Sequence, residues 1–129
     1  MPDSDYSYVS SLSLAHVGDA VFELLVRTYL INKGIGDVFE LHKKTVSLVN
    51  AGAQAKMAKT LIPNLTEEEQ SIFKRGKNAK VNTLPKNSSP ADYHMATALE
   101  TLFGYLWLKN RKSRIQDLFN MILENTDAV

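Results

Sequence analysis

The stretch that decides the fold is "LSLAHVGDAVFELLVRTYL", Leu12 to Leu30. Placed on a helix at about 100° per residue, Leu14, Val17, Val21, Leu24 and Leu25 fall on one broad side. Asp19 interrupts this apolar segment between Gly18 and Ala20, and it shares a stripe with His16, Glu23 and Arg27. An ionised carboxylate taken into apolar surroundings is strongly unfavourable unless something opposes it. A basic side chain or a cation is therefore expected opposite Asp19.

The pattern occurs a second time. In "ATALETLFGYLWL", Ala96 to Leu108, Glu100 sits in an apolar helix with Ala96, Thr97 and Gly104 one turn away. Small neighbours leave room beside the carboxylate for a partner helix, a cation or waters. Two such acids, far apart in sequence, could converge across a helix pair and form a hard, oxygen-rich site suited to magnesium. An ion held there can activate water and neutralise charge building on a phosphate oxygen. Glu23 and Thr97 are the candidates for support beside it, although Glu23 and Arg27 also have the spacing of an ordinary helix ion pair. Asp19 could equally pair with His16 or Arg27 on its own helix. His16 and His94 lack metal-ligand spacing and read as solvated or hydrogen-bonded side chains.

The rest of the chain also reads as helix. One alanine-rich helix is expected over Val38 to Leu61, stopped by Pro63. Thr66 and Glu69 form a capping box for a helix running to Gly76. Ser89 followed by Pro90 opens the long helix from Ala91 to Asn110, with Asp92 placed to favour its dipole. A last amphipathic helix covers Ser113 to Leu123. No segment has the alternation of a strand, so the expectation is an all-α single domain over residues 1–129.

The 129 residues carry 15 basic and 14 acidic side chains, a net charge of +1, and no cysteine. That balance excludes a strongly basic coat but allows a local patch. Without thiols there is no disulfide framework or thiolate metal site, and an intracellular, cytoplasmic protein is expected, with no membrane partner. The clearest patch is "KRGKNAKVNTLPK", where Lys74, Arg75, Lys77, Lys80 and Lys86 occur with no acid among them. Gly76 and Asn78 let that backbone approach phosphates. The alternative is a solvated loop after a helix C-terminus. "LHKK" adds His42, Lys43 and Lys44, whereas Lys109, Arg111, Lys112 and Arg114 close a helix where positive charge is expected. Walker, dinucleotide-binding and zinc-helix motifs are absent.

The segment "HVGDAVFELLVR" resembles the ribonuclease III signature, and "ATALETLFGYLWL" is similar to the second catalytic helix of that family. The match is closer to its short bacterial branch, mini-ribonuclease III. The pieces "LHKKTVSLVNAGAQAK", "TEEEQSIFKRGKNAK" and "PKNSSPADYHMATALETLFGYLWL" follow that branch's order and spacing. The full-length family pattern has glutamates at Leu12 and Ala15 and an aspartate at Thr97; the short branch shares these losses. The resemblance implies a helical ribonuclease III endonuclease domain, working as a two-fold homodimer without a separate double-stranded RNA-binding domain. It implies magnesium-dependent cleavage of double-stranded RNA, with manganese able to substitute and Asp19 and Glu100 as catalytic metal ligands. It further implies RNA contacts by His42, Lys43, Lys44, Lys74, Arg75, Lys77, Asn78, Lys80 and Lys86. The substrate implied is precursor 23S ribosomal RNA, with a large-subunit ribosomal protein as helper. The competing expectation is a non-catalytic RNA-binding or ribosome-assembly protein on the same fold.

Overall fold

The computed structural model describes residues 6–81, 84 and 89–125. Six helices follow in order: α1 Ser11–Asn32, α2 Val38–Val49, α3 Ala51–Leu61, α4 Glu67–Lys77, α5 Pro90–Leu108 and α6 Lys112–Glu124. A short 3-10 turn, Ile62–Asn64, links α3 to α4. Among the described residues there is no strand, and no helix is long and apolar enough to cross a membrane.

All the helices except α6 begin where a polar side chain satisfies their first amides. Ser10 accepts from the Ser13 amide, Asp37 from Phe39 and Glu40, and Ser89 from Asp92. The Thr66–Glu69 capping box forms in both directions, at 3.2 and 3.0 Å. The expected single helix over Val38 to Leu61 is instead two. Asn50 leaves the helical region at φ −72°, ψ 161°, and its side chain accepts from the Ala53 amide at 2.9 Å. A capping asparagine restarts the chain in a new direction, which an alanine-rich sequence on its far side conceals. Gly34 supplies the positive φ, 102°, that turns the chain after α1.

Helix α5 is the axis of the domain and packs against α1, α3, α4 and α6. Leu99, Leu102, Phe103 and Leu106 of α5 are fully buried with Phe22 of α1, Leu61 of α3 and Leu118 of α6. Phe22 meets Phe103 and Phe119 edge to face, with centroids 5.7 and 6.1 Å apart. The buried stripe of α1 is Leu14, Ala15, Gly18, Val21, Phe22, Val26 and Leu30. It lies beside the side expected from Leu14, Val17, Val21, Leu24 and Leu25, of which Leu24 is 60% exposed. Gly18 sets this rotation by taking the line of closest approach to α5.

A second fastening joins α4 to the start of α6. Arg111 makes a forked ion pair with Glu68, and Arg114 binds Glu69 at 2.8 Å. Glu69 is therefore both a helix cap and a buried anchor. Burial alone would push its carboxyl up; Arg114 and the Thr66 amide outweigh this and hold it below the ordinary value. These arginines have the structural role expected of the basic run after α5.

Candidate active site

Two glycines bring α1 and α5 into backbone contact. A Cβ added to Gly18 would lie 1.6 Å from the Glu100 carbonyl oxygen, and one added to Gly104 would lie 1.9 Å from that of Leu14. No side chain fits between the helices at this point. The room expected beside Glu100 is thus filled by a partner helix, and Asp19, next to Gly18, arrives at Glu100. The Asp19 carboxyl is close enough to Glu100 to act on it directly. Gln54 of α3 reaches the same acid, with its Nε2 at a long 3.5 Å from Glu100 Oε2. That glutamine is 2% exposed.

Burial, first, and then the Asp19 charge and hydrogen bond push the Glu100 carboxyl up to about 8, with Gln54 pulling it the other way. Among the described residues no basic side chain forms an ion pair with either acid. The ion pairs among the described residues are Arg27–Glu23, Arg111–Glu68 and Arg114–Glu69, and none includes Asp19 or Glu100. Neither His16 nor Arg27 is the partner of Asp19. The acids therefore stand together uncompensated, a donor set whose natural complement is a hard cation.

Asp19 corrects one expectation. It is exposed rather than sunk in the apolar face, as is Ala20, while Glu100 is mostly buried. Gly18 faces α5 directly, so the next residue is rotated outward by a helix step. The pair consequently lies at the surface end of the α1–α5 crossing, open to a large ligand. The two support candidates do not join it. Glu23 is ion-paired with Arg27. The Thr97 hydroxyl donates within its own helix to the Tyr93 carbonyl at 2.9 Å. No three acidic, histidine or cysteine side chains converge among the described residues. Further positions around a bound ion would fall to water or phosphate oxygens.

Gln54 is the residue that sequence reasoning missed. A glutamine between alanines carries no charge signal, and only the break at Asn50 aims its helix at Glu100. The basic candidates are spread over two surfaces. Lys74 and Arg75 lie in the last turns of α4, as the helix expected to run to Gly76 requires, and Lys77 joins them because Gly76 packs against Thr101 and the helix continues one residue past it. Asn78 is the C-cap, and Lys80 follows; all five side chains are exposed. Arg75 also donates to the Val9 carbonyl at 3.2 Å, which ties the N-terminal segment to α4. His42, Lys43 and Lys44 are exposed on α2. Lys86 lies outside the described residues. His94 departs from expectation as well: its Nδ1 is buried with no hydrogen-bond partner.

Comparison with known proteins agrees with this geometry. The ribonuclease III domain family model matches residues 12–111, which include both acids. The Mini-ribonuclease 3 of Clostridium tetani is 43% identical over 120 residues, covering 92% of this chain and 80% of that protein. The Mini-ribonuclease 3 of Enterococcus faecalis is 39% identical, covering 93% of this chain and 92% of its own length. The X-ray structure of a Fusobacterium nucleatum protein superposes with a TM-score of 0.85 at 34% identity, over 95% of this chain and 98% of that one. The chain belongs to the ribonuclease III family, in its mini-ribonuclease III branch, and is an endoribonuclease.

Proposed function

We propose that this chain, a single ribonuclease III-like domain over residues 1–129, hydrolyses double-stranded RNA with magnesium, which manganese can replace, held by Asp19 and Glu100. The observation that carries the reading is the uncompensated acid pair at the α1–α5 crossing. A bound divalent ion supplies Lewis acidity and charge neutralisation at a phosphate oxygen. Glu100 must lose its proton to act as a ligand, and a cation favours that loss by replacing the repulsion from Asp19 with attraction. Gln54 and the buried walls around Glu100 hold one carboxylate fixed while exposed Asp19 reaches the substrate side. The reaction is attack of water on a backbone phosphorus with departure of the 3′ oxygen. His42, Lys43, Lys44, Lys74, Arg75, Lys77, Asn78, Lys80 and Lys86 contact the RNA backbone, whose shape and phosphates offer more than its base edges.

A two-fold homodimer completes the reading. Leu24 and Ile31 of α1 are exposed with Val38 and Phe39 of α2, and Phe39 is 81% exposed. Apolar surface of this kind supports a partner, and two-fold symmetry would present one acid pair to each strand of a duplex. The resemblance to the short branch supports cytoplasmic maturation of precursor 23S ribosomal RNA, aided by a large-subunit ribosomal protein. The test is cleavage of a defined duplex with and without magnesium by wild type, Asp19→Asn and Glu100→Gln, with molar mass measured in parallel. Loss of cutting in both variants is expected. Wild-type cutting by either one defeats the site assignment.

A further inference from the structure

Among the described residues the buried polar or charged side chains are Thr45, Gln54, Glu69, Thr97 and Thr101. All but one are satisfied by short bonds to fixed partners. The threonines each donate to a carbonyl one turn back on their own helix, at 2.7 to 2.9 Å, and Glu69 is bound by Arg114 at 2.8 Å. Gln54 is the exception. It is the polar member of the buried stripe of α3, with Ala55, Met57, Ala58 and Leu61. Its side-chain bond is the long one, 3.5 Å, from Nε2 to Glu100 Oε2. A buried amide so poorly served is unfavourable, and a methionine of similar size would fill the space without that penalty. As a fastening between helices, Gln54 is weak. As a donor to an ionised carboxylate it is well placed, because a charge-assisted bond is shorter and about twice as strong. Hydrogen bonds in active sites often tighten only once substrate is present.

We infer that Gln54 is a positioning residue that sets which ion the acid pair prefers, favouring magnesium over calcium. The inference rests on Asp19 and Glu100 holding a divalent ion, as proposed above. An amide N–H on Oε2 fixes the rotation of the Glu100 carboxylate and engages one of its two oxygens. A carboxylate held in one direction suits magnesium, which demands near-ideal octahedral geometry and binds through few carboxylates with water. Calcium takes about six to eight oxygens in a flexible arrangement and readily uses both oxygens of one carboxylate. It gains less from a carboxylate so constrained. The neutrality of the amide matters as well. A guanidinium in its place would hold Glu100 but also satisfy its charge, as Arg114 does for Glu69. Gln54 orients the acid and leaves its charge for the ion.

The experiment uses the whole chain and titrates magnesium and calcium separately by calorimetry, for wild type, Gln54→Met, Gln54→Glu and Asp19→Asn at a single pH. Wild type should bind magnesium more tightly than calcium. Gln54→Met should weaken magnesium binding about tenfold, as on losing a group that orients a metal ligand, and change calcium binding by less than about twofold. Its metal-free melting temperature should match or exceed that of wild type, since an apolar side chain replaces a buried polar one. Gln54→Glu keeps the length but exchanges the donor for a further carboxylate, and should bind calcium more tightly than wild type does. A Gln54→Met protein that melts lower yet keeps the magnesium preference would make Gln54 a fastening and overturn the inference. So would a wild type with no preference between the ions, or a Gln54→Glu protein with the wild-type preference. Equal magnesium binding by wild type and Asp19→Asn would instead defeat the site assignment, and this inference with it.

Discussion

Two pairs of acids in this molecule have opposite surroundings. Glu68 and Glu69, opening α4, face Arg111 and Arg114, and both carboxyls are held below their ordinary values. Asp19 and Glu100, at the α1–α5 crossing, face one another, and the Glu100 carboxyl is pushed up to about 8. The residue types are nearly the same. The difference lies in what the neighbouring helix carries: guanidinium groups in one place, a second carboxylate in the other. The first arrangement fastens the fold, and the second stores an unmet need for positive charge, which a fold tolerates where a ligand supplies it.

Breaking the α1–α5 pair should give the largest effect. Asp19→Asn or Glu100→Gln should lower duplex cleavage on the order of 10³-fold, the scale seen when a preorganised electrostatic contact to the reacting group is lost. Above pH 8, where Glu100 is charged, thermal melting should show no accompanying loss of stability, because each change removes repulsion. The reverse holds at the other pair. Glu69→Ala removes a buried anchor and a helix cap together and should cost about 3 kcal/mol in denaturant unfolding. Cleavage per folded molecule should remain near wild type. A variant at Glu69 that kept its stability but lost cleavage would collapse the distinction between the two pairs.

Titration sharpens the contrast. Glu100 has a folded value raised above 4.5, so its contribution to stability is fully present below that value and is lost as pH rises toward about 8. Metal-free protein should lose stability across this window by at most about 1.4 kcal/mol per pH unit, and Glu100→Gln should remove that slope. Glu69 has a lowered value, so its contribution is present above the ordinary carboxylate range and disappears as pH falls through its folded value. Equilibrium unfolding against pH therefore separates a fastening that fails in acid from a site strained in alkali. The smallest effect belongs to the basic surface. Lys77→Gln or Lys80→Gln should weaken duplex binding severalfold and reduce the slope of log affinity against log salt by about 1.

Much of the α1–α5 site is legible in the sequence because both of its acids contradict their surroundings. An aspartate after a glycine in an apolar helix, and a glutamate amid alanine and glycine, each require an explanation. The reading goes wrong where tertiary contact decides. Whether Asp19 or Gly18 faces α5 depends on a close approach of backbones that periodicity cannot specify, so Asp19 emerges exposed and Leu24 with it. The break at Asn50 has a local signal, an asparagine able to cap, but good helix formers after it suggest continuity. Gln54 becomes relevant only once that break aims α3 at Glu100. The pairing of Glu68 and Glu69 with Arg111 and Arg114 joins segments more than forty residues apart. No local pattern announces it.

The most direct measurement is the melting temperature of wild type and Glu100→Gln at a pH above 8, each with and without magnesium. Without the ion the variant should melt higher, since wild type must hold two facing charges. Magnesium should raise the wild type, by about 2.7 kcal/mol of stability at a hundredfold excess over its dissociation constant, and leave the variant almost unmoved. A variant that melts lower than wild type without magnesium, or an equal rise in both proteins, would contradict the acid pair as an uncompensated cation site.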